Sequence, residues 1–343
     1  MAIQANPKHT IVPLIVAVIA MVLWLWTPGG GAPKDYYINR GLVFGTKYDI
    51  QYESTRDLHA EITKALKDFD NSLSMFNSHS VITAVNDNRD TIVDALFETM
   101  LNEAQRVNDI SNGAFDITVA PLVNYWGFGT KGDQCLEISD EAIDSIRTFV
   151  GLDKVQLHEH RIIKDDPRVQ LDASAVAKGQ ACDVIAAVLA QHGCTNYMVE
   201  IGGEVVAHGV NAHGHPWGIN LAVPNPNNEG ASDEFIYLPL KDACIATSGN
   251  YFNYHKDQQG ERRSHTIDPR TGYPVQHALL SATVVSPSCM RSDALATACM
   301  VLGEEEALDM IKRAEDAACL LQVLNNGKID TIHSQKWEKM ITK

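Results

Sequence analysis

VQLDASAVAKGQACDVIAAVLAQHGCTNYMVEIGGEVVAH, residues 169–208, is the stretch on which the fold reading turns. Val169–Asp172 reads as a short strand that ends on a carboxylate. A helix from about Ala175 to Gln191 follows and stops at Gly193, a residue type that ends helices in a left-handed turn. Asn196–Ile201 and Val205–His208 then read as strands, separated by Gly202-Gly203.

Upstream, Val155–Leu157 and Arg161–Lys164 are short β runs, and before residue 150 the texture is helical. Leu58, Ile62, Ala65 and Phe69 form one face of a helix over Asp57–Asp70. Leu96, Met100, Ala104 and Val107 do the same near Thr91–Asn108, where Asn112-Gly113 ends the helix. A third begins near Ser139, with Ile143, Ile146 and Val150 inward and Gly151 as its cap. Leu42–Tyr52 alternates and is rich in β-formers, so it reads as one strand. Downstream, Gly218–Val223, Phe235–Leu240 and Leu279–Ser286 continue the strand pattern; helices around Ser292–Leu302 and Glu304–Ala314 precede two final strands. The expected fold class is α+β, a mixed β-sheet core with segregated helices.

The first thirty residues differ from the rest. Lys8 and His9 precede Ile11–Trp26, sixteen residues without a charge, and Thr27-Pro28-Gly29-Gly30-Gly31 then breaks the chain. A spanning helix takes about 17–25 apolar residues, and Trp24 and Trp26 suit the interface. Residues 1–31 therefore read as an N-terminal membrane anchor or a signal segment with its linker, and 32–343 as the folded body. The small-x-small pattern of a cleaved signal is poor. Positive charge on the N-terminal side of the run predicts a body on the periplasmic side of the inner membrane.

With 21% charged and 45% hydrophobic residues the composition is that of an ordinary globular protein. The formal net charge is −15 and no Lys/Arg-rich run occurs, which argues against nucleic acid as a partner. The seven cysteines (Cys135, Cys182, Cys194, Cys244, Cys289, Cys299, Cys319) form no C-x-x-C pair, which removes zinc and thioredoxin-like readings. Several sit in apolar runs as small hydrophobes, and no disulfide is assigned.

Five short stretches could carry chemistry. Leu171 through Gly179 places Asp172 just before a helix, whose N-terminus suits a diphosphate, or whose cap Asp172 simply supplies. Ile201-Gly202-Gly203-Glu204 lets the backbone approach a ligand, or forms a bulge or hairpin turn. Thr247-Ser248-Gly249-Asn250 sets small polar residues at the end of an apolar run. Asp268-Pro269-Arg270-Thr271-Gly272 is a rigid turn beside His265, a histidine that reads as catalyst or as structural residue; Arg270 can pair with Asp268 or with a ligand. Asp293 and Thr297 stand at i and i+4, one above the other on a helix face. They are two hard oxygen ligands of the kind Mg²⁺ takes alongside water and phosphate, or a helix-dipole Asp and a back-bonded Thr.

Taken in order, these motifs resemble the ApbE family of FAD:protein FMN transferases, over roughly Gly41 to Ile332. Further stretches carry the likeness: Gly45-Thr46, Gly113-Ala114-Phe115-Asp116-Ile117-Thr118 through Val123, and Trp126-Gly127-Phe128-Gly129. The resemblance implies a flavin site at Phe44, Phe76, Ala114, Phe115, Asp116, Asp172, Lys178 and Ile267. It implies magnesium ligands in the Ala175 carbonyl, Asp293 and Thr297, and a catalytic histidine in His265. It also implies FAD as FMN donor and acceptor subunits of the Nqr and Rnf type, modified on threonine. Two departures stand out. No cysteine precedes Cys135, so the lipoprotein cysteine of many relatives is missing, and Phe76 stands where tyrosine is frequent.

The expected mechanism follows from the diphosphate to be broken. Mg²⁺ makes the phosphorus electrophilic, and a histidine with pKa near neutrality takes the threonine proton. The rival readings are an Mg²⁺-dependent FAD pyrophosphatase, with water as acceptor, and a flavin-binding protein without turnover.

Overall fold

In this computed structural model, which describes residues 34–129, 138–225, 230–250, 254–256 and 262–341, Phe44-Gly45 divides what reads as one strand into two. Both residues adopt positive φ (51° and 73°), as a two-residue hairpin turn requires, and β1 (Asp35–Val43) pairs antiparallel with β2 (Thr46–Ser54). The alternation runs on through both arms, so the turn is hard to see in sequence. The segment 1–31 and Cys135 lie outside the described residues.

After the hairpin come α1 (His59–Leu73), α2 (Val81–Asn86), α3 (Ala95–Ile110), α4 (Ala120–Tyr125) and α5 (Asp140–Arg147). The small ribbon β3 (Val155–His158) and β4 (Arg161–Lys164) precedes α6 (Ala177–Gln191). Next are β5 (Tyr197–Ile201), β6 (Glu204–His208), the ribbon β7 (Trp217–Pro224) and β8 (Ala231–Leu240), β9 (Ala243–Gly249), and the short pair β10 (Tyr254–Lys256) and β11 (Arg262–Ser264). Then follow β12 (Leu279–Ser286), α7 (Cys289–Leu302), α8 (Glu304–Arg313), β13 (Ala318–Asn325), β14 (Lys328–His333) and α9 (Trp337–Ile341).

Caps set the helix starts. α3 begins after Asp94, whose side chain accepts the Phe97 N–H at 2.9 Å, while Ile92 bridges to Arg161 instead of joining the helix. α7 begins three residues before its expected start because Ser288 caps it.

Eight strands form one sheet in the order β1-β2-β5-β6-β9-β12-β13-β14, with every ladder antiparallel. The expected mixed sheet is thus corrected to an antiparallel one. A strand that leaves through two helices, as β12 does through α7 and α8, returns beside itself in the opposite direction. The α+β class holds, with the long helices gathered on one face and only the short α9 on the other. On the helical face α1, α3, α6 and α7 close the main core around Ile50, Phe69, Phe97, Val199 and Leu295. The opposite face is covered by β7, β8 and α9, whose Trp217, Leu221, Leu238 and Trp337 pack on Met198, Val205 and Leu320. Among the described residues no helix is long and apolar enough to cross a membrane.

Val169–Asp172 is buried in alternation, as a strand would be, but joins no ladder. The Asn86 side chain brackets Leu171, accepting its N–H at 2.7 Å and donating to its carbonyl at 2.9 Å, and Asp172 donates its N–H to Ile117. A turn over Ala173–Val176 then delays the helix to Ala177.

Candidate active site

Gly179 sets the local geometry. A Cβ there would lie 2.4 Å from the Cys289 carbonyl oxygen, so α6 and α7 cross in backbone contact, a distance only glycine permits. At the crossing Gly179 donates its N–H to Asp293 Oδ2 at 3.0 Å rather than to the Ala175 carbonyl one turn back. That carbonyl therefore has no helical donor of its own among the described residues. Asp183, also on α6, holds the start of α7: Oδ1 accepts the Cys289 N–H (2.9 Å), and Oδ2 accepts the Met290 N–H (3.0 Å) and the Ser288 hydroxyl (2.8 Å).

A cleft of about 440 Å³ opens on this crossing. Ala114, Phe115, Asp116, Asp172, Ala175, Lys178, His265, Ile267, Asp293 and Thr297 all line it, ten of the twelve residues singled out in the sequence. Asp293 and Thr297 share a face of α7, and Thr297 Oγ1 lies 3.2 Å from the Ser248 hydroxyl. Phe44 and Phe76 stand outside this lining. Phe44 is half-buried in the β1–β2 turn with its ring 5.3 Å from that of Phe69, and Phe76 is 74% exposed after α1.

Several side chains are committed to the scaffold. Asp116 Oδ1 accepts both the N–H and the hydroxyl of Thr118, and Oδ2 accepts the Leu152 N–H, while burial pushes its pKa up. Asp172 caps its own turn, Oδ1 accepting the Ser174 N–H at 2.8 Å. Arg270 grips Asp268, one of its two expected partners, through Nε and Nη2, and the Asp268 carbonyl accepts the Gly272 N–H to close the turn. That turn fixes the segment from which His265 reaches the cleft, its ring 6.4 Å from Phe128 and edge-on to it.

Lys178, on the cleft wall, is paired with a buried residue to which the sequence reading gave no role. Gly202 and Gly203 (φ 64° and 101°) form the β5–β6 turn and deliver Glu204, 1% exposed, with Oε1 2.5 Å from Lys178 Nζ. Its other oxygen, Oε2, is buried with no hydrogen-bond partner among the described residues. An acidic residue at the head of the apolar run Val205-Val206-Ala207 was the available signal. Asp183, inside the apolar α6, carried the same one. Burial pushes the Glu204 pKa up, Asp293 adds to this, and Lys178 pulls it back. Burial also raises Asp293 against Lys178 and the Gly179 N–H. Burial alone would lower Lys178, but Asp293 and Glu204 outweigh it and hold the ammonium charged.

Lys178 thus stands under the pull of two buried carboxyl groups and is paired with one of them. Asp293, the Thr297 hydroxyl and the Ala175 carbonyl are hard oxygen donors, and they suit a small divalent cation that completes its shell with water and phosphate oxygens. Among the described residues no group of three or more His, Cys, Asp or Glu forms an all-protein metal cage.

Comparison with known proteins gives one consistent result. A family model described as the ApbE family matches residues 44–321. A curated FAD:protein FMN transferase of Haemophilus influenzae is 36% identical over 315 residues, covering 88% of this chain and 90% of the relative. Its counterpart in Vibrio cholerae is 34% identical, covering 90% and 94%. The solved flavin transferase ApbE from Vibrio cholerae superposes with a TM-score of 0.80 at 33% identity, over 90% of this chain and 99% of that one.

Proposed function

Because the chain belongs to the ApbE family, we propose that it is a Mg²⁺-dependent FAD:protein FMN transferase that moves FMN from FAD onto a threonine hydroxyl and releases AMP. The observation that carries this reading is the meeting of Asp293, Thr297, the Ala175 carbonyl, Lys178 and His265 in one cleft.

Asp293, Thr297 and the Ala175 carbonyl would hold Mg²⁺, which when bound neutralises the diphosphate and makes its phosphorus electrophilic. Lys178 sets an ammonium toward the same phosphates. Ala114, Phe115 and Ile267 give an apolar wall for the flavin, with Phe44 and Phe76 as its aromatic partners; Asp116 and Asp172 fix the loops that carry that wall. His265 takes the threonine proton as the Oγ–P bond forms, and the P–O bond to AMP breaks with its electron pair on the leaving phosphate. The acceptor in this reading is a membrane redox subunit of the Nqr or Rnf type. The uncharged run Ile11–Trp26 supports an inner-membrane protein with a periplasmic body.

The test is to incubate the full chain with FAD, MgCl₂ and an Nqr-type subunit, reading acceptor mass and AMP together. The expected result is an acceptor heavier by FMN less water, with AMP in equal amount, only when Mg²⁺ is present. AMP release with an unmodified acceptor would make the protein a pyrophosphatase instead.

A further inference from the structure

Lys178 feels two buried carboxylates and pairs with one of them. Its ammonium is 2.5 Å from Glu204 Oε1, and among the described residues its ion pair is with Glu204, not with Asp293. The stem is confined as well: a Cβ on Gly202 would lie 3.1 Å from Lys178 Cδ and 2.9 Å from Thr46 Cγ2. The Gly202-Gly203-Glu204 turn therefore leaves room for the shaft of the lysine and holds its head.

A buried ion pair is a poor device for stability, because desolvation offsets most of the attraction and an apolar pair does as well. Glu204 fits that role badly, with Oε2 buried and unpartnered among the described residues. Asp293 lines the same cleft as Lys178 and its charge acts on both partners of the pair, which points to another use. A flexible ammonium left free beside a buried carboxylate closes onto it, and a closed Lys–Asp pair competes with a divalent cation for the same oxygens.

We propose that Glu204 is a positioning residue that draws Lys178 away from Asp293 and so keeps the Asp293 carboxylate open to a divalent cation. This rests on the reading of Asp293 as a cation ligand.

The test is a double-mutant cycle on the full chain with saturating FAD. Mn²⁺ serves as the probe, and its binding is followed by loss of the free-ion EPR signal. Glu204→Gln keeps shape and removes the pull on the lysine, so Mn²⁺ binding should weaken about tenfold, within the usual coupling of residues in contact. In a Lys178→Met background no ammonium is left to compete, and the same change should cost under about threefold. The double variant leaves no unpaired buried charge from the pair, which protects folding. Equal losses in both backgrounds would mean that Glu204 acts on the cation directly, and no loss in either would leave it without the role; both overturn the proposal. If wild type and Asp293→Ala bind Mn²⁺ alike, the fault lies instead with the assignment of Asp293.

Discussion

The α6–α7 crossing and the aromatic pair Phe44 and Phe76 belong to the same proposed site and are built in opposite ways. At the crossing, Gly179, Asp183, Glu204 and Asp293 are tied by hydrogen bonds and ion pairs within the protein, and Asp293 is only 2% exposed. Phe76 is 74% exposed, and Phe44 is half-buried at the edge of the core with its ring against that of Phe69. The difference follows from desolvation. A charge taken out of water must find its partners in the fold itself, whereas an aromatic ring can stay at the surface at modest cost and be covered by what binds. The charged wall is therefore preorganised, and in the proposed reading the aromatic side takes its form only when the flavin binds.

The largest test of this contrast is at His265, which lines the cleft without belonging to the charged wall. If it is the general base, His265→Ala should bind FAD with wild-type affinity while acceptor labelling falls by about 10²–10⁴. Labelling and FAD titration on the same preparation separate the two. A folded variant that labels at nearly the wild-type rate would refute the catalytic role.

Asp293→Ala comes next, because it breaks the preorganised wall itself. Labelling at limiting Mg²⁺ should drop by about 10²–10³, a few kcal/mol of lost electrostatic stabilisation. The Gly179 N–H is orphaned as well, at about 1–3 kcal/mol of stability, visible as a lower melting temperature. Thr297→Ala removes a neutral ligand and one hydrogen bond to Ser248, so both effects should be smaller. Labelling by Asp293→Ala equal to wild type at limiting Mg²⁺ would remove Asp293 from the site.

The same contrast explains how much could be seen from sequence. Asp293 and Thr297 were legible because helical spacing fixes which side chains share a face. Most strands were legible from alternation, yet alternation misled twice. It ran through the Phe44-Gly45 turn, and it marked Val169–Asp172, whose partners are the Asn86 side chain and Ile117 rather than a ladder. Glu204 was visible as an acid heading an apolar strand, but its partner Lys178 lies on a different element, so only the fold joins them. The freed Ala175 carbonyl was invisible as a local feature, since it depends on Gly179 turning its N–H toward a helix more than a hundred residues later.

The smallest effect belongs to the exposed ring. Phe76 buries little, so Phe76→Ala should shift stability by less than about 0.5 kcal/mol. If the flavin stacks on it, the loss should appear in FAD affinity alone, at about two- to tenfold, the range of one aromatic pair contact. Phe76→Tyr keeps the ring and should keep the affinity, which separates stacking from any general disturbance of the loop after α1. Titrating FAD into all three proteins, with melting curves alongside, reads both quantities. Unchanged FAD affinity in Phe76→Ala would leave the flavin to the buried wall of Ala114, Phe115 and Ile267, so that the binding site too, and not only the cation site, would be set before the ligand arrives.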